Sequence, residues 1–332
     1  MRTVDRGARG FVIAAGILLL FACRDPLPVD SDGRPIFRIG YMPNLTHAPA
    51  LYGVESGMFE EALGPDAVVR YRAFPAGPSV VEAVLAGELD VAFLGPNPAI
   101  NAYFISQGEA VRVVSGSTAG GAQLVVRPDV KAPRDFLGQR IATPSLANTQ
   151  DITARVWLRD EGIEEGKGED AVEILPIPPS EVLRLFERRE VAGAWLPEPW
   201  SSRMVIETGG RVLVDEASLW PDGRFPTTVV MASVASLRSR RELLERFLRA
   251  HERSIAALRA SPEARDLVRR RIEKDLGLVL PKPVVDRAYS KLEFSTDLLP
   301  GVMVEFARRA EAVGYLRMNL PIEPMFAPDL VP

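Results

Sequence analysis

The residue types that most often carry catalysis or bind metals are scarce in this chain. Its 332 residues include one Cys, Cys23, and two His, His47 and His251. A single Cys excludes a disulfide framework, a Cys-rich zinc site and a Cys-ligated iron–sulfur cluster. Two His leave little for a metal site or a His-dependent catalytic triad. The sequence therefore favours binding over catalysis, and we expect neither a metal nor a cofactor.

Small polar and turn residues instead cluster in four segments, each between a predicted strand and a predicted helix. These segments are residues 43–47, 95–98, 143–150 and 197–200, and none of them contains Lys or Arg. A helix N-terminus presents unpaired N–H groups and about half a positive charge, and Asn, Thr and Gln side chains add neutral donors. If the segments converge, they would form a cleft in which dipoles rather than cations hold a small oxyanion.

The elements that must position these segments are short apolar strands that alternate with helices. Strands predicted near residues 37–41, 68–74 and 89–94 form one series, and a second series begins near residue 139. Short connections between such units predict open parallel sheets with helices on both faces. Two more β-prone stretches, 124–126 and 227–231, could cross between the series. The mostly helical remainder is expected to pack on the first series.

Several residues of the polar segments also have a purely structural interpretation. Thr46, Asn97 and Asn148 could be helix caps, and His47 could be a surface or capping residue. Each of these side chains sits next to a helix start, where its oxygen or nitrogen can bond to the first backbone groups. The sequence leaves both interpretations open.

The residues around the Pro-Glu-Pro turn also allow more than one interpretation. Trp195 lies within a predicted strand and fits the core, whereas Trp200 follows the turn and is the better candidate for lining a cleft. Glu198 could be a solvated turn residue, could pair with a cationic or donor group of a ligand, or could bridge two lobes. The Gly-rich run 115–121 lets backbone approach a ligand closely and also suits a flexible joint.

Overall composition restricts the class of protein further. The length favours two domains, and 47% apolar with 25% charged residues is ordinary for a globular protein. A formal net charge of −4 argues against a nucleic-acid partner, which usually requires a basic field. The arginine-rich faces after residue 237 are expected to be solvated helix surface.

Residues 1–22 have the pattern of an export signal. Three Arg precede an apolar run of 12 residues, which is shorter than the ~20 residues that a membrane-spanning helix needs. The run ends in Leu-Phe-Ala-Cys23, which resembles a bacterial lipobox, where the Cys after the cleavage site is lipidated. Ordinary secretory cleavage after Ala22, or a buried free Cys in a short helix, are the alternatives. The Pro-rich residues 23–35 predict a tether.

Three stretches carry a resemblance to a known family. They are IGYMPNLTHAP at 39–49, GELDVAFLGPNP at 87–98 and GAWLPEPW at 193–200. They resemble the nitrate/sulfonate/taurine group of ABC-transporter solute-binding proteins over about residues 36–315. The resemblance implies an α/β, two-lobed type II periplasmic binding protein. Each lobe would be a mostly parallel sheet flanked by helices, with two interlobe crossovers.

The resemblance and the strand series together predict the organisation of the chain. We expect a lipoprotein signal peptide at 1–22 and a tether at 23–35. Lobe 1 would comprise residues 36–129 and 227–332, and lobe 2 would comprise residues 130–226. Removal of residues 1–22 would leave a net charge of −6.

The family's ligands sit in the interlobe cleft, so the resemblance implies ligand-binding residues from both lobes. The predicted set is Asn44, Thr46, His47, Pro96, Asn97, Ser117, Thr118, Asn148, Thr149, Gln150, Glu198 and Trp200. No catalytic residue and no metal ligand is predicted.

The resemblance implies an extracytoplasmic receptor, anchored by lipid at Cys23 and monomeric. It would capture a small anion, a sulfonate or a nitrate-like ion, and deliver it to an ABC permease in the cytoplasmic membrane. An alternative is a receptor for a heterocycle such as a thiamine-precursor pyrimidine, with Trp200, Trp195 and Tyr41 as stacking surfaces and Glu198 as acceptor for amino groups. An enzyme on the same fold is disfavoured, because the pyrimidine-forming relatives rely on a Cys-rich segment and His. A sensor module is a third possibility.

Overall fold

The computed structural model of the protein describes residues 28–327. The predicted signal peptide and Cys23 lie outside these residues. The strands, in chain order, are β1 Ile36–Tyr41, β2 Val68–Ala73, β3 Val91–Leu94, β4 Val111–Gly120, β5 Ala122–Val126, β6 Arg140–Thr143, β7 Glu164–Glu165, β8 Ala171–Pro176, β9 Gly193–Pro197, β10 Arg211–Asp215, β11 Pro226–Ser233 and β12 Leu292–Phe294. The α-helices are α1 Ala48–Glu55, α2 Met58–Leu63, α3 Gly77–Leu85, α4 Pro96–Ile105, α5 Thr149–Asp160, α6 Pro179–Glu187, α7 Trp200–Glu207, α8 Val234–Ser239, α9 Arg241–Ala260, α10 Pro262–Leu276, α11 Lys282–Tyr289 and α12 Pro300–Ala312. Across this described range, every helix is too short or too polar to cross a membrane.

The strands form two six-stranded sheets, one in each lobe. The sheet of lobe 1 has the order β12-β4-β11-β3-β1-β2, and that of lobe 2 has the order β10-β5-β9-β6-β8-β7. In lobe 1, β11 runs antiparallel between β3 and β4; in lobe 2, β5 runs antiparallel between β9 and β10. The predicted two-lobed α/β fold is confirmed, but the sheets are mixed, because the two segments expected as crossovers are themselves antiparallel strands.

The chain leaves lobe 1 at Gly120 and Gly121, earlier than the predicted boundary after residue 129. Strand β5 pairs with β9 and β10 and so belongs to the sheet of lobe 2. Both glycines have positive φ, and a Cβ on Gly120 would lie 2.6 Å from the carbonyl oxygen of Lys291. Only glycine fits such a crowded left-handed turn. The return to lobe 1 runs from β10 to β11.

Apolar clusters cover both faces of each sheet and divide the molecule into two sides. We call the first the α1/α7 side: it contains α1, α9, α10 and α11 of lobe 1 with α6 and α7 of lobe 2. The second, the α4/α5 side, contains α3, α4 and α12 of lobe 1 with α5 of lobe 2. Trp195 lies in the core of lobe 2, as its mid-strand position predicted.

The C-terminal helices pack on lobe 1, as expected, and also contact lobe 2. Helices α9 and α10 lie against α1, while α11 contacts α7 and α12 contacts α5. The short strand β12, which the sequence pattern did not predict, extends the sheet of lobe 1. The last part of the chain therefore contacts lobe 2 on both sides of the molecule.

The described half of the predicted tether is docked on lobe 1 rather than extended. The N–H of Ile36 donates to the carbonyl of Pro28 at 2.9 Å, and the N–H of Asp30 donates to the carbonyl of Arg34 at 2.9 Å. The guanidinium of Arg240 also donates to the Pro28 carbonyl, at 2.8 Å. Residues 28–35 thus form a closed turn that is fixed to the body.

Candidate functional site

A cleft cavity of about 180 Å³ lies between the lobes. Its walls include all four polar segments predicted from the sequence. They also include residues 75–77, where α3 begins, and 178–180, where α6 begins. These are two strand-to-helix segments of the same Pro-rich kind that the prediction missed. Seven of the twelve predicted residues line the cavity: Asn44, Thr46, His47, Asn148, Thr149, Gln150 and Trp200.

The other five predicted residues do not line the cleft cavity. Pro96 is buried in the first turn of α4, where its neighbours Gly95 and Pro98 face the cavity instead. Asn97 is buried beside a separate small void of about 10 Å³, next to α5 and α12. Ser117 and Thr118 are buried within β4. A residue's segment can reach the cleft while its own side chain is buried in the core, so the segment alone does not decide which side chains line the cavity.

Glu198, the fifth, lies beside the cavity but turns its carboxylate away from it. Oε1 is 3.3 Å from Nη1 of Arg287, and Oε2 accepts a hydrogen bond of 3.1 Å from the N–H of Ser202. The Arg287 guanidinium also donates to Gln123 at 2.8 Å. Burial raises the pKa of Glu198, and the Ser201 and Ser202 hydroxyls and Arg287 oppose that rise. Because Arg287 belongs to lobe 1, the bridging interpretation of Glu198 is the one that the geometry supports.

The N-terminus of α5 is the best-formed donor site of the cavity. Thr149 and Gln150 are its first two residues, so their N–H groups have no acceptor within the helix. Asn148 caps the helix, accepting from the N–H of Asp151 at 2.8 Å, and also lines the cavity. The hydroxyl of Thr149 is buried without a hydrogen-bond partner. This terminus therefore offers two N–H groups and an unused hydroxyl.

Thr149 also marks where the two lobes meet on the α4/α5 side. A Cβ on Gly95, at the start of α4, would lie 2.5 Å from Oγ1 of Thr149. Because Gly95 has no Cβ, the side chain of Thr149 in lobe 2 can approach the backbone of lobe 1. On the α1/α7 side, the N–H of Leu45 donates to the carbonyl of Glu198 at 3.2 Å. The two lobes are therefore in contact on both sides of the cavity. On the α4/α5 side Thr149 packs against Gly95, and on the α1/α7 side Leu45 is hydrogen-bonded to Glu198.

The lining of the cavity carries no charged side chain. None of the residues around it is Asp, Glu, Lys or Arg. His47 is the one titratable group among them, and burial lowers its pKa to about 3, so the imidazole is neutral at pH 7. Its Nδ1 faces the N–H of Met42 at 3.4 Å, which places the proton on Nε2. Any positive potential in the cavity therefore comes from helix termini and neutral donors.

Lobe 1 adds the Asn44 amide as a neutral donor beside His47. The Asn44 side-chain oxygen accepts from the hydroxyl of Thr46 at 2.6 Å, which leaves the Asn44 amide N–H groups for a ligand. Asn44 and His47 precede α1, and so face the cavity from the α1/α7 side. Donors from both lobes can therefore reach one small solute.

Apart from Ser180 and Thr227, the rest of the lining is apolar. Seven prolines contribute to it, together with Met42, Trp200 and Leu276. Trp200 is buried, with the guanidinium of Arg203 at 5.1 Å from its ring. Leu276, the last residue of α10, has no local sequence signal that would indicate a cleft position. Within residues 28–327 there is no group of three or more His, Cys, Asp or Glu that could hold a metal ion.

Known proteins with sequences similar to this chain include binding proteins. The taurine-binding periplasmic protein of Escherichia coli (strain K12) is 28% identical over 149 residues, which are 45% of this chain. The match spans 44% of the length of that relative. Protein BAB2_1146 of Brucella abortus (strain 2308) is 25% identical over 291 residues, covering 86% of this chain and 84% of the relative.

Solved structures with the same fold include two solute-binding proteins. The alkanesulfonate-binding protein SsuA from Xanthomonas axonopodis pv. citri, bound to MOPS, superposes with a TM-score of 0.71 at 19% identity, covering 89% of this chain and 99% of that one. The nitrate-binding protein NrtA from Synechocystis PCC 6803 gives a TM-score of 0.69 at 14% identity, covering 86% and 83%. At these identities the likeness concerns the fold, which is that of a periplasmic binding protein.

A family model also matches most of the chain. Residues 32–273 match the model of the NMT1-like family, well over half of the chain. Together with the two-lobed fold and the cleft between the lobes, this match shows that the chain belongs to the NMT1-like family.

Proposed function

We propose that this chain is the extracytoplasmic solute-binding receptor of an ABC importer. It captures a small anion, a sulfonate or a nitrate-like ion, between its lobes and delivers it to a permease in the cytoplasmic membrane. The observation that carries the proposal is the cavity between the lobes, where helix N-termini and neutral donors meet without a charged side chain. The named ligands of the taurine- and alkanesulfonate-binding proteins to which the chain is similar support an anion.

The geometry explains how such a solute would signal its capture. A ligand shifts an equilibrium between open and closed lobes only through contacts that differ between the two states. Thr149 and Gln150 belong to lobe 2, whereas Asn44 and His47 belong to lobe 1. A solute that contacts both groups is fully bound only when the lobes are closed. The closed form would then be the one that the permease recognises.

Because no carboxylate lines the cavity, we expect it to favour anions that carry no positive group. Taurine carries an ammonium group as well as a sulfonate, and a buried ammonium needs an acceptor or a counter-charge. Glu198 is the acidic residue nearest in sequence to the lining residues Pro197 and Trp200, and its charge is already engaged by Arg287. We therefore expect a sulfonate with an apolar remainder to bind better than taurine.

Thermal unfolding with a panel of solutes tests the proposal. The panel comprises alkanesulfonates, taurine, nitrate, bicarbonate and a pyrimidine. A ligand at 100 times its Kd adds about 2.7 kcal/mol to the free energy of unfolding, which produces a clear rise in Tm. A rise with an alkanesulfonate or nitrate supports the proposal, and no rise with any anion contradicts it.

A second candidate is a receptor for a neutral heterocycle, which Trp200 and the charge-free lining favour. Its other predicted contacts are weaker: Trp195 is in the core, where its Nε1 donates to Glu216 at 2.7 Å. The Tyr41 hydroxyl is engaged by Arg271 and by Asp275. Quenching of Trp fluorescence by a pyrimidine, with no response to sulfonates, would favour this candidate over the first.

Anchoring is the remaining part of the proposal. Lipidation of Cys23 would hold the receptor at the membrane surface as a monomer, close to its permease. The substitution Cys23→Ser should move the protein from the membrane fraction to the soluble extracytoplasmic fraction while leaving solute binding unchanged. Retention of this variant in the membrane fraction would contradict anchoring at Cys23. Binding alone needs no catalytic residue, so we propose no reaction.

A further inference from the structure

Leu276 contacts both lobes and the cavity at once. It lies at the end of α10, lines the cavity, and packs against the apolar cores of lobe 1 and lobe 2 on the α1/α7 side. Leu278, two residues later, packs against the same two cores but does not line the cavity. The two leucines therefore share a role in holding the lobes together, and only Leu276 can touch a solute.

The end of α10 and the loop after it, which carry Leu276 and Leu278, are fixed to lobe 1. Gly277 ends α10 in the left-handed conformation, with φ of 64°. The N–H of Leu278 donates to the carbonyl of Glu273 at 3.2 Å, and that of Leu280 donates to its carboxylate at 2.8 Å. Arg269 holds the same carboxylate at 2.6 Å. The loop is thus braced by α10, and Leu276 keeps its place when lobe 2 moves.

Leu276 faces the cavity from the side opposite the α5 terminus. In lobe 2 its neighbours belong to the apolar cluster of α6 and α7, which also contains Trp200. Thr149 and Gln150 begin α5, whose apolar residues pack on the other face of the same sheet. The cavity therefore has the α5 donors on the α4/α5 side. On the α1/α7 side it has an apolar surface of Trp200 and Leu276 as well as the donors Asn44 and His47.

We propose that Leu276 sets the size of the apolar group that the solute can carry. The inference rests on the proposed function, because it requires an anion whose acid group binds at the α5 terminus. With the acid group there, the remainder of the solute extends toward Trp200 and ends at Leu276. Leu276 is then a specificity-determining residue that limits the chain length of the solute.

Titration calorimetry with linear alkanesulfonates from methanesulfonate to octanesulfonate tests this role. In the wild-type protein each added methylene should strengthen binding by about fourfold, the ratio that ~0.8 kcal/mol per buried CH₂ gives, until the chain reaches Leu276. Beyond that length binding should weaken. The substitution Leu276→Ala should move this limit to a longer chain, and Leu276→Phe should move it to a shorter one.

Leu278→Ala is the matched control, because it removes the same kind of interlobe contact without changing the cavity wall. It should weaken all members of the series by one common factor and leave the length limit where it is. Leu276→Met, of nearly equal volume, should keep the wild-type limit, and the Tm of each unliganded variant reports its folding.

An unchanged limit in folded Leu276→Ala would overturn the role of Leu276 while leaving the proposed function intact, because the wild type would still bind. A limit that shifts equally in Leu278→Ala would also overturn it. Failure of the wild type to bind any member of the series would overturn the proposed function, and this inference with it.

Discussion

The carboxylate of Glu198 and the guanidinium of Arg287 lie 3.3 Å apart and come from different lobes. Glu198 begins the segment between β9 and α7, and its side chain is fully buried. Arg287 lies on α11, which belongs to the core of lobe 1. The pair therefore joins the lobes at the level of the cavity and neutralises the negative charge of Glu198, which would otherwise repel an anion.

Removing Arg287 should destabilise the closed protein. In Arg287→Met the buried carboxylate of Glu198 loses its counter-charge, which typically costs about 3 kcal/mol. Urea unfolding at pH 7 measures this loss. Because burial already raises the pKa of Glu198, the variant should regain stability as the pH falls and the carboxyl is protonated. The double variant with Glu198→Gln should recover most of the loss at pH 7, and unchanged stability of Arg287→Met would contradict the pairing.

The hydroxyl of Thr149 should matter for binding but not for folding. In Thr149→Val a buried hydroxyl without a partner is replaced by a methyl group of the same shape, so the unliganded protein should be as stable or more stable by about 1 kcal/mol. Loss of a hydrogen bond to an anion should weaken binding by roughly tenfold or more, at 1.5–3 kcal/mol. Calorimetry and thermal unfolding measure the two effects separately.

Asn97→Ala provides the matched comparison for Thr149. The Asn97 side chain is equally buried and also unpartnered, but it faces the small void between α4, α5 and α12. Its removal should leave the Kd of the solute within about twofold of the wild-type value, well below the roughly 1.4 kcal/mol that a tenfold change represents. Equal weakening in both variants would show that Thr149 acts through general packing rather than through contact with the solute.

Affinity for the anion should not depend on pH between 5.5 and 8. Burial lowers the pKa of His47 to about 3, so the imidazole stays neutral over this range. A cationic His47 would instead strengthen anion binding as the pH fell through its ordinary pKa of about 6.5. Calorimetry at several pH values distinguishes the two, and a tenfold gain below pH 6.5 would contradict a neutral His47.

The same burial makes the folded protein sensitive to acid. Below about pH 6.5 the unfolded chain binds a proton at His47 that the folded protein does not accept until about pH 3. The free energy of unfolding therefore decreases as the pH falls from about 6.5 to about 3. His251, with a pKa lowered by burial to about 4, acts in the same direction. The variant His47→Asn should show a shallower loss of Tm between pH 6.5 and 4. An unchanged slope would contradict burial of a neutral imidazole.

Glu216 should act in the opposite direction. It is fully buried, and burial raises its pKa to about 7, although Trp195 and Thr153 donate to it. From pH 4.5 to 7 the unfolded chain releases a proton that the folded protein keeps, so the contribution of Glu216 to stability falls as the pH rises. Glu216→Gln should match the wild type near pH 4.5 and exceed it by about 3 kcal/mol at pH 8. Denaturant unfolding at both values tests this.

Local composition was sufficient to find most of the cleft. Pro, Asn, Thr and Ser between a strand and a helix place polar groups at the carboxyl end of a sheet, and this rule located residues 43–47 and 143–150. The same rule would have found 75–77 and 178–180. It could not find Leu276, because the local sequence at the end of an amphipathic helix does not indicate which residues of the other lobe it will contact.

Long-range pairing explains the other differences. A run of Val and Leu such as β5 is compatible with either sheet, so the first crossover was predicted nine residues late, at 129 instead of 120. The role of Glu198 depends on Arg287, 89 residues further along the chain. Strand β12 has three residues and forms because β4 offers it a free edge. These features are determined by tertiary packing, which short patterns do not encode.

We propose that the charge-free cleft binds a small anion through helix termini and neutral donors. Titration calorimetry of the wild-type protein at pH 7 with butanesulfonate, taurine and a neutral pyrimidine tests this proposal. We expect saturable binding of butanesulfonate at one site and weaker binding of taurine, whose ammonium finds no carboxylate in the lining. Binding of the pyrimidine with no heat from butanesulfonate, or tighter binding of taurine, would contradict it.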